Sequence, residues 1–451
     1  MIRLLALAST LCGLVLASTT LFTDARAYAA GGDLLWQDRF NLAGGQAFAT
    51  AVASSHGRVV AVGGAQNGAG NSVFVVRAYD PKRGTLLWED RVDPQGGNDQ
   101  ATAVVMDDQR VVVLGHGVDA MGNNRTLIRA YVAGTGDLAW ADHGPAAALA
   151  LGDSHIVAAG LVVDASGNRR VLVRAFAKKT GALAWEDEWV APFGHEWAGP
   201  GSRTVAIEDG KAFVAATAGE IPFPDGRFIC IVRSYKIATG TLLWQSSEFS
   251  PGQCRANAIA TDGRRVVIAE NGGGANLFDF QVESFDAATG ELLWHDGENH
   301  TGFADGAVAV DTEHRVAFVT GVEYRVFAPN PGPSLRGLLV VRAYDTETGV
   351  LRWEDRFPLP PEPGCECIGL DVVAVKGQLF VVGRRSTGVW LVRAYDIHSG
   401  GLLWHDEFAP ATASNSRPTA VASDHGQVFV VGSALNANGN LDFILRTYEA
   451  K

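Results

Sequence analysis

The two ends of the chain make sense only when joined. The last residues, Arg446-Thr-Tyr-Glu-Ala-Lys451, and the early segment Gly31-Gly-Asp-Leu-Leu-Trp36 form, once spliced, one copy of a repeat whose internal version runs from Arg77 to Trp88. A repeat divided between the termini is how a ring of blades closes, because the first strand then completes the last blade and no sheet edge is left open. The repeat core is R-A-Y/F-D-x-x-T-G-x-L-x-W-x-D, with tryptophans at Trp36, Trp88, Trp140, Trp185, Trp244, Trp294, Trp353 and Trp404. Their spacings of 52, 52, 45, 59, 50, 59 and 51 residues fall near the period of a propeller with several short strands per repeat. The span from the arginine position, held by Glu283 in one copy, to the tryptophan is fixed at 11 in all seven internal copies. A fixed hairpin inside a variable period places the length variation in loops.

Each copy reads as four strands. In the first, Thr50 to Ser54 is small and apolar, as an inner strand near a crowded axis must be. Arg58 to Val62, Ser72 to Tyr79 and Leu86 to Arg91 follow, separated by turns at His56-Gly57 and at Asp80 to Thr85. No sustained 3.6-residue apolar period occurs, so essentially no helix is expected. The fold expected is all-β: an eight-bladed β-propeller of four-stranded antiparallel blades, closed by pairing of Asp33 to Arg39 with Leu441 to Tyr448. If Asp80 faces Thr85, then Arg77 faces Trp88 across the hairpin. The arginine then lies over the indole and pairs with Asp90 of its own blade. Two copies depart from this pattern: Ser246 replaces the aspartate, and Glu283 replaces the arginine. Glu283 is expected to stand near Asp296 and repel it, with His295 or a neighbouring blade supplying the compensating charge.

Residues 1–30 read as a secretory leader: Arg3, an apolar run from Leu4 to Leu16, then a small-residue site at Ala27-Tyr28-Ala29-Ala30. Residues 31–451 form one propeller domain. No later stretch is apolar and long enough to span a bilayer. The net charge of −12 becomes −13 when Arg3, Arg26 and Asp24 leave with the leader, which disfavours nucleic acid or an anionic membrane as partner. Four cysteines remain, an even number suited to an oxidising compartment. Cys230 and Cys254 sit in loops on one face of the ring and are expected to pair. Cys365-Glu-Cys367 is open to three readings: a small disulfide ring, free thiols, or a metal site for which no histidine is near in sequence.

At A-x-D-x-x-T-G-x-x-x-W the chain resembles the quinoprotein propellers, whose eight blades carry a tryptophan docking motif of this form. The copy from Ala343 to Trp353 matches at every motif position, and that from Phe285 to Trp294 has Ser284 where the motif has alanine. The family holds pyrroloquinoline-quinone (PQQ) dehydrogenases and non-catalytic members such as the propeller lipoprotein of outer-membrane assembly. The resemblance implies, for the enzymes, a vicinal disulfide against the quinone and a calcium site. Here Cys365-Glu-Cys367 has a residue between its thiols, and no calcium ligands can be mapped. The lipid-bearing cysteine of the assembly protein has no counterpart either.

No catalytic triad, phosphate loop or metal-ligand spacing stands out, so no catalytic, cofactor-binding or metal residue is expected. Three loops exceed what turns need. Trp189 to Gly201 holds Trp189, Phe193, His195 and Trp197; Tyr324 to Gly337 holds Tyr324, Arg325, Phe327 and Arg336; Phe357 to Cys367 is proline-rich. These residues are the candidates for a partner surface. The leading expectation is a monomeric, exported, non-enzymatic scaffold, periplasmic or extracellular, that binds a protein or peptide in the cell envelope. The alternatives are a PQQ- and calcium-dependent dehydrogenase of reduced size, or a carbohydrate or cell-surface binder.

Overall fold

The computed structural model describes residues 31–450, apart from 43, 94–96, 119–120, 166, 191–196, 200–202, 220–227, 247–252, 274–278, 299–304, 328–333, 359–365 and 411–414. The leader segment lies outside these residues. Among the described residues there is no helix, and the strands form eight antiparallel sheets. Blade 1 is Ala47–Ser55, Arg58–Gln66, Ser72–Tyr79 and Leu86–Val92, in order from the axis outward. Blades 2 to 7 follow along the chain, and blade 8 consists of Arg417–Asp424, Gln427–Leu435, Leu441–Glu449 and, as its outer strand, Leu34–Phe40. Asp38 lies opposite Leu445 and Phe40 opposite Phe443, so the ring closes as the split repeat requires. In blade 4 the inner position is shared by Trp197–Gly199 and Val205–Glu208.

The core lies between blades, not at one centre. Eight apolar clusters each draw on two successive sheets. Second strands are therefore covered on both faces, and Arg58–Gln66 is buried throughout its interior; such strands read as continuous valine and alanine runs rather than alternating ones.

The hairpin leading to each tryptophan has a register that simple counting misses. Tyr79 faces Leu86 as expected, but Ala78 faces Trp88 and Arg77 faces Glu89. Leu87 is the extra residue of a β-bulge, and the same shift recurs in all eight blades. Arg77 and Trp88 thus point to opposite faces of the sheet, which overturns the expected arginine-over-indole stack. The bulge also leaves both leucines of the Leu-Leu-Trp motif about half exposed, as at Leu86 and Leu87.

Each indole instead docks on the following blade. Trp36 Nε1 donates to the Pro81 carbonyl at 2.6 Å, Trp88 to Ala133 at 3.1 Å, and so on round to Trp404, which donates to Ala450 at 3.0 Å. The ring lies on the turn glycine of that blade: a Cβ at Gly84 (φ +67°) would come within 2.6 Å of the Trp36 ring, so glycine is required for space as well as for φ. In return, the third-strand arginine reaches back to the previous blade's aspartate. Arg77 pairs with Asp38, Arg129 with Asp90 and Arg393 with Asp355, at 3.5, 3.1 and 2.9 Å. Except in blade 3, where Phe176 stands, a tyrosine two residues on donates to the same carboxylate, as Tyr395 does to Asp355 at 2.7 Å. The aspartate therefore serves the next blade and not its own. Asp296 pairs with Arg342, and Glu283 does not oppose it across the hairpin: Glu283 faces His295. The two exceptions, Ser246 and Glu283, belong to a single junction, between blades 4 and 5.

Candidate functional site

Inner-strand side chains line an axial channel of about 670 Å³, among them Thr50, Thr102, Arg255, Asn257 and Thr419, joined by Asn271 from a second strand. The inner strands knit to one another there: Thr50 donates to Ala101 O at 2.8 Å, Thr419 to Ala49 O at 3.0 Å and Asn257 to Ala307 O at 2.7 Å. Arg203, just before the blade 4 strand Val205–Glu208, crosses the axis. It pairs with Asp371 at 2.5 Å and donates to the Leu370 and Thr419 carbonyls at 3.2 Å, so it ties blade 4 to blades 7 and 8. Burial raises the Asp371 carboxyl above its ordinary range although Arg203 opposes that shift.

A quinone would need a flat aromatic floor in this channel. Among the described residues no indole lines it. The eight motif tryptophans are docked between blades, and Trp390 is fully buried, edge-on to Phe408 at 5.3 Å. The described lining offers no such floor.

The loop-bearing face holds two separate features. Tyr324 to Gly337, read from sequence as a loop, is instead the tip of the longest hairpin, with strands Val316–Phe327 and Ser334–Asp345 of 12 residues each. Among the described residues, pairing with the inner strand begins at Val322 and with the outer strand at Leu339; beyond them the two strands pair with each other as a ribbon, and the Tyr324 N–H donates to Asp305 Oδ1 at 2.6 Å. Arg325 faces Arg336 across it, and Val326 is half exposed. Arg325 and Arg356 both bind the buried Glu323, whose carboxyl they hold below its ordinary range against the opposing effect of burial. The Tyr324 hydroxyl donates to Glu366, which brings the hairpin against the loop that precedes Cys367. The side chain of Phe327 lies outside the described residues.

Trp189 stands apart from this region, three blades back. It is buried, with the Arg233 guanidinium 4.2 Å from its ring. Phe40, Phe357 and Phe408 take the same place under Arg77, Arg393 and Arg446. Each lies four residues after a motif tryptophan, a spacing that marks Trp189 as part of the repeat. Phe193, His195 and the side chain of Trp197 lie outside the described residues. A cleft that sequence reasoning missed opens between blades 2 and 3. It measures about 530 Å³ and is lined by His116, Asn124, Arg125, Thr126, His143, Pro145 and Leu161; burial lowers the His116 pKa.

The disulfide expected between Cys230 and Cys254 is present, with Cα atoms 5.6 Å apart, and it joins blade 4 to blade 5. Cys367 is buried and also disulfide-bonded; Cys365 lies outside the described residues. No described helix is long and apolar enough to cross a membrane.

The family described as outer membrane protein assembly factor BamB matches residues 22–174 and 278–445, well over half of the chain. The chain belongs to this BamB family. The unmatched stretch between them holds the disulfide and Ser246. No curated protein matches the sequence. Among solved structures, the quinohemoprotein alcohol dehydrogenase ADHIIG from Pseudomonas putida HK5 is similar with a TM-score of 0.56 and 15% identity, over 93% of this chain and 76% of that one. A europium-containing methanol dehydrogenase gives 0.53 and 12%, over 92% and 93%. The Dos1 propeller gives 0.56 and 9%, over 93% and 95%. At these identities the likeness is one of fold, and it spans enzymes and a bare propeller alike.

Proposed function

We propose that this BamB-family chain is an exported, monomeric, non-enzymatic propeller of the cell envelope that holds a protein or peptide partner. The observation that supports it most is the blade 6 hairpin. Its tip carries a strand edge beyond the last described pairing with the inner and outer strands, a half-exposed Val326 and facing arginines. An extended peptide can add to such an edge through main-chain hydrogen bonds, and side chains along the ribbon give selectivity. The acidic body of the protein with basic residues at this tip favours an acidic segment in the partner. Among the described residues the channel lining offers no aromatic floor for a quinone, which supports the same reading.

The test is a photo-crosslinking residue at Val326 and, as control, at the exposed Val163 of blade 3, followed by recovery from the native envelope fraction. A single adduct specific to Val326 is expected. Equal labelling at both sites would remove the hairpin from the reading. Substrate-dependent dye reduction after reconstitution with pyrroloquinoline quinone and calcium would replace the scaffold with an enzyme.

A further inference from the structure

The junction between blades 4 and 5 departs from the repeat at four places together. On the second strand, Glu270 stands where six blades have glycine, such as Gly63 and Gly383, and blade 4 has Ala216. Opposite it, Gln281 takes a place that is aliphatic in all seven others, such as Val75 and Leu391. Glu283 replaces the arginine, and Ser246 of blade 4 replaces the aspartate that would have met it. Packing does not call for these changes. The first three each exchange a small, apolar or cationic residue for an oxygen-bearing one, and they share one face of the sheet.

The geometry on that face is that of a ligand set. Glu270, Gln281 and Gly297 form one cross-strand row, and Ile268, Glu283 and His295 the next. A carboxylate oxygen from each of Glu270 and Glu283 and a ring nitrogen of His295 all lie within 4.8 Å of one another. His295 Nδ1 is 3.4 Å from Glu283 Oε1. Glu270 is completely buried, and its Oε1 has no hydrogen-bond partner. Its Oε2 lies 2.6 Å from Cys254 Sγ, a disulfide sulfur with no proton to give. Gln281 Oε1, on the same face, is likewise buried without a partner. A buried carboxylate oxygen left unpaired is costly, and a cation is one of the few things that repays it.

We propose that Glu270, Glu283 and His295 bind a divalent transition-metal ion of the zinc class, at the one junction where the repeat arginine is missing. The other seven junctions carry their positive charge on a side chain; this one takes it from solution. An imidazole with two carboxylates suits zinc, and the nitrogen ligand disfavours calcium and magnesium, which take oxygen. Zinc bonds of about 2.0–2.2 Å bring tetrahedral ligands to roughly 3.5 Å of one another, close to the 3.4 Å at which Glu283 and His295 already stand. The His295 side chain, 39% exposed, is the entrance, and Glu283, at 7%, lies behind it. Burial, with Glu283 beside it, holds the Glu270 carboxyl well above its usual range.

The experiment uses the metal-stripped, disulfide-intact mature protein, with zinc added in a calorimeter. One zinc per chain is expected, undisturbed by excess calcium or magnesium. His295→Ala changes a half-exposed ring and leaves the core alone; it should weaken binding at least tenfold. Glu270→Gln should do the same. So should the pair Ser246→Asp with Glu283→Arg, which rebuilds the junction of the other blades. Circular dichroism verifies that each variant is folded, and His295→Ala decides the matter should a core variant not be. Absence of stoichiometric zinc, parent-like affinity in His295→Ala, or displacement by calcium would overturn the assignment.

Discussion

Removing one carboxylate between blades 6 and 7 tests whether the ring is held by charge passed from blade to blade. Asp355 accepts from Arg393 at 2.9 Å and from the Tyr395 hydroxyl at 2.7 Å. The Arg393 side chain is only 7% exposed and sits 4.2 Å from the Phe357 ring, whereas Asp355 is 31% exposed. Asp355→Ala leaves a buried guanidinium without its counter-charge. Such losses cost about 3–5 kcal/mol, and the partly wet carboxylate puts this one near 3. With an unfolding entropy of about 2.1 cal/mol/K per residue, a domain of this length should lose roughly 3–4 °C in Tm. Arg393→Leu alone should cost about 2 kcal/mol, since Asp355 can turn to water. The double variant should then cost less than the sum by about 1.5–2 kcal/mol, the signature of directly coupled residues. Urea denaturation of the four proteins closes the cycle. Additivity within about 0.5 kcal/mol would show that the pair does not hold the junction, and would sink the account of arginine and aspartate given for the other six.

Burial raises the Asp311 carboxyl to about 6, despite backbone N–H groups of Ala374 and Thr312 that oppose the shift. The native state thus binds this proton more tightly than the unfolded chain, so the contribution is full below about pH 4 and is lost as pH rises through 6; Asp311→Asn should flatten that fall in urea midpoints taken from pH 4 to 7. Gly400→Ala forces a side chain at φ +67° and within 2.6 Å of the Trp353 ring; a loss of about 2–4 kcal/mol is expected by chemical denaturation, and an unchanged midpoint would show that the indole is not seated there. Deleting Leu34–Phe40 strips blade 8 of its outer strand and should yield oligomers by size-exclusion chromatography, through the bared edge of Leu441–Glu449; a stable monomer would speak against closure by that strand.

The blades, their number and the closure were legible in the sequence because each rests on local spacing: a hairpin of fixed length repeated, and one copy cut by the termini. The Cys230–Cys254 bond was legible because topology brings those two connections to one face. The partner of each arginine was not. A bulge at Leu87 moves Arg77 one place and thereby turns it to the other face, and nothing in Leu-Leu-Trp distinguishes a bulged from a regular strand. Once the face is reversed, the partner lies in a different blade, at a distance along the chain that no motif encodes. Arg203 and Asp371 are further from reach, being 168 residues apart and opposed across the axis. The hairpin tip at Tyr324 read as a loop because its prolines and glycine are loop residues, although the flanking Val-Phe and Leu-Arg continue the pairing.

Arg203 changes the mechanics of the ring. Blades that touch only their neighbours behave as a chain of links, each free to open with a cost set by two interfaces. A chord from blade 4 to blades 7 and 8 resists ovalisation. It divides the circle into an arc of blades 5 and 6, held at both ends, and a longer arc through blades 1 to 3. Strain applied at the blade 6 hairpin is then borne by the short arc and passed through the tie to blade 4, while the long arc is left to breathe.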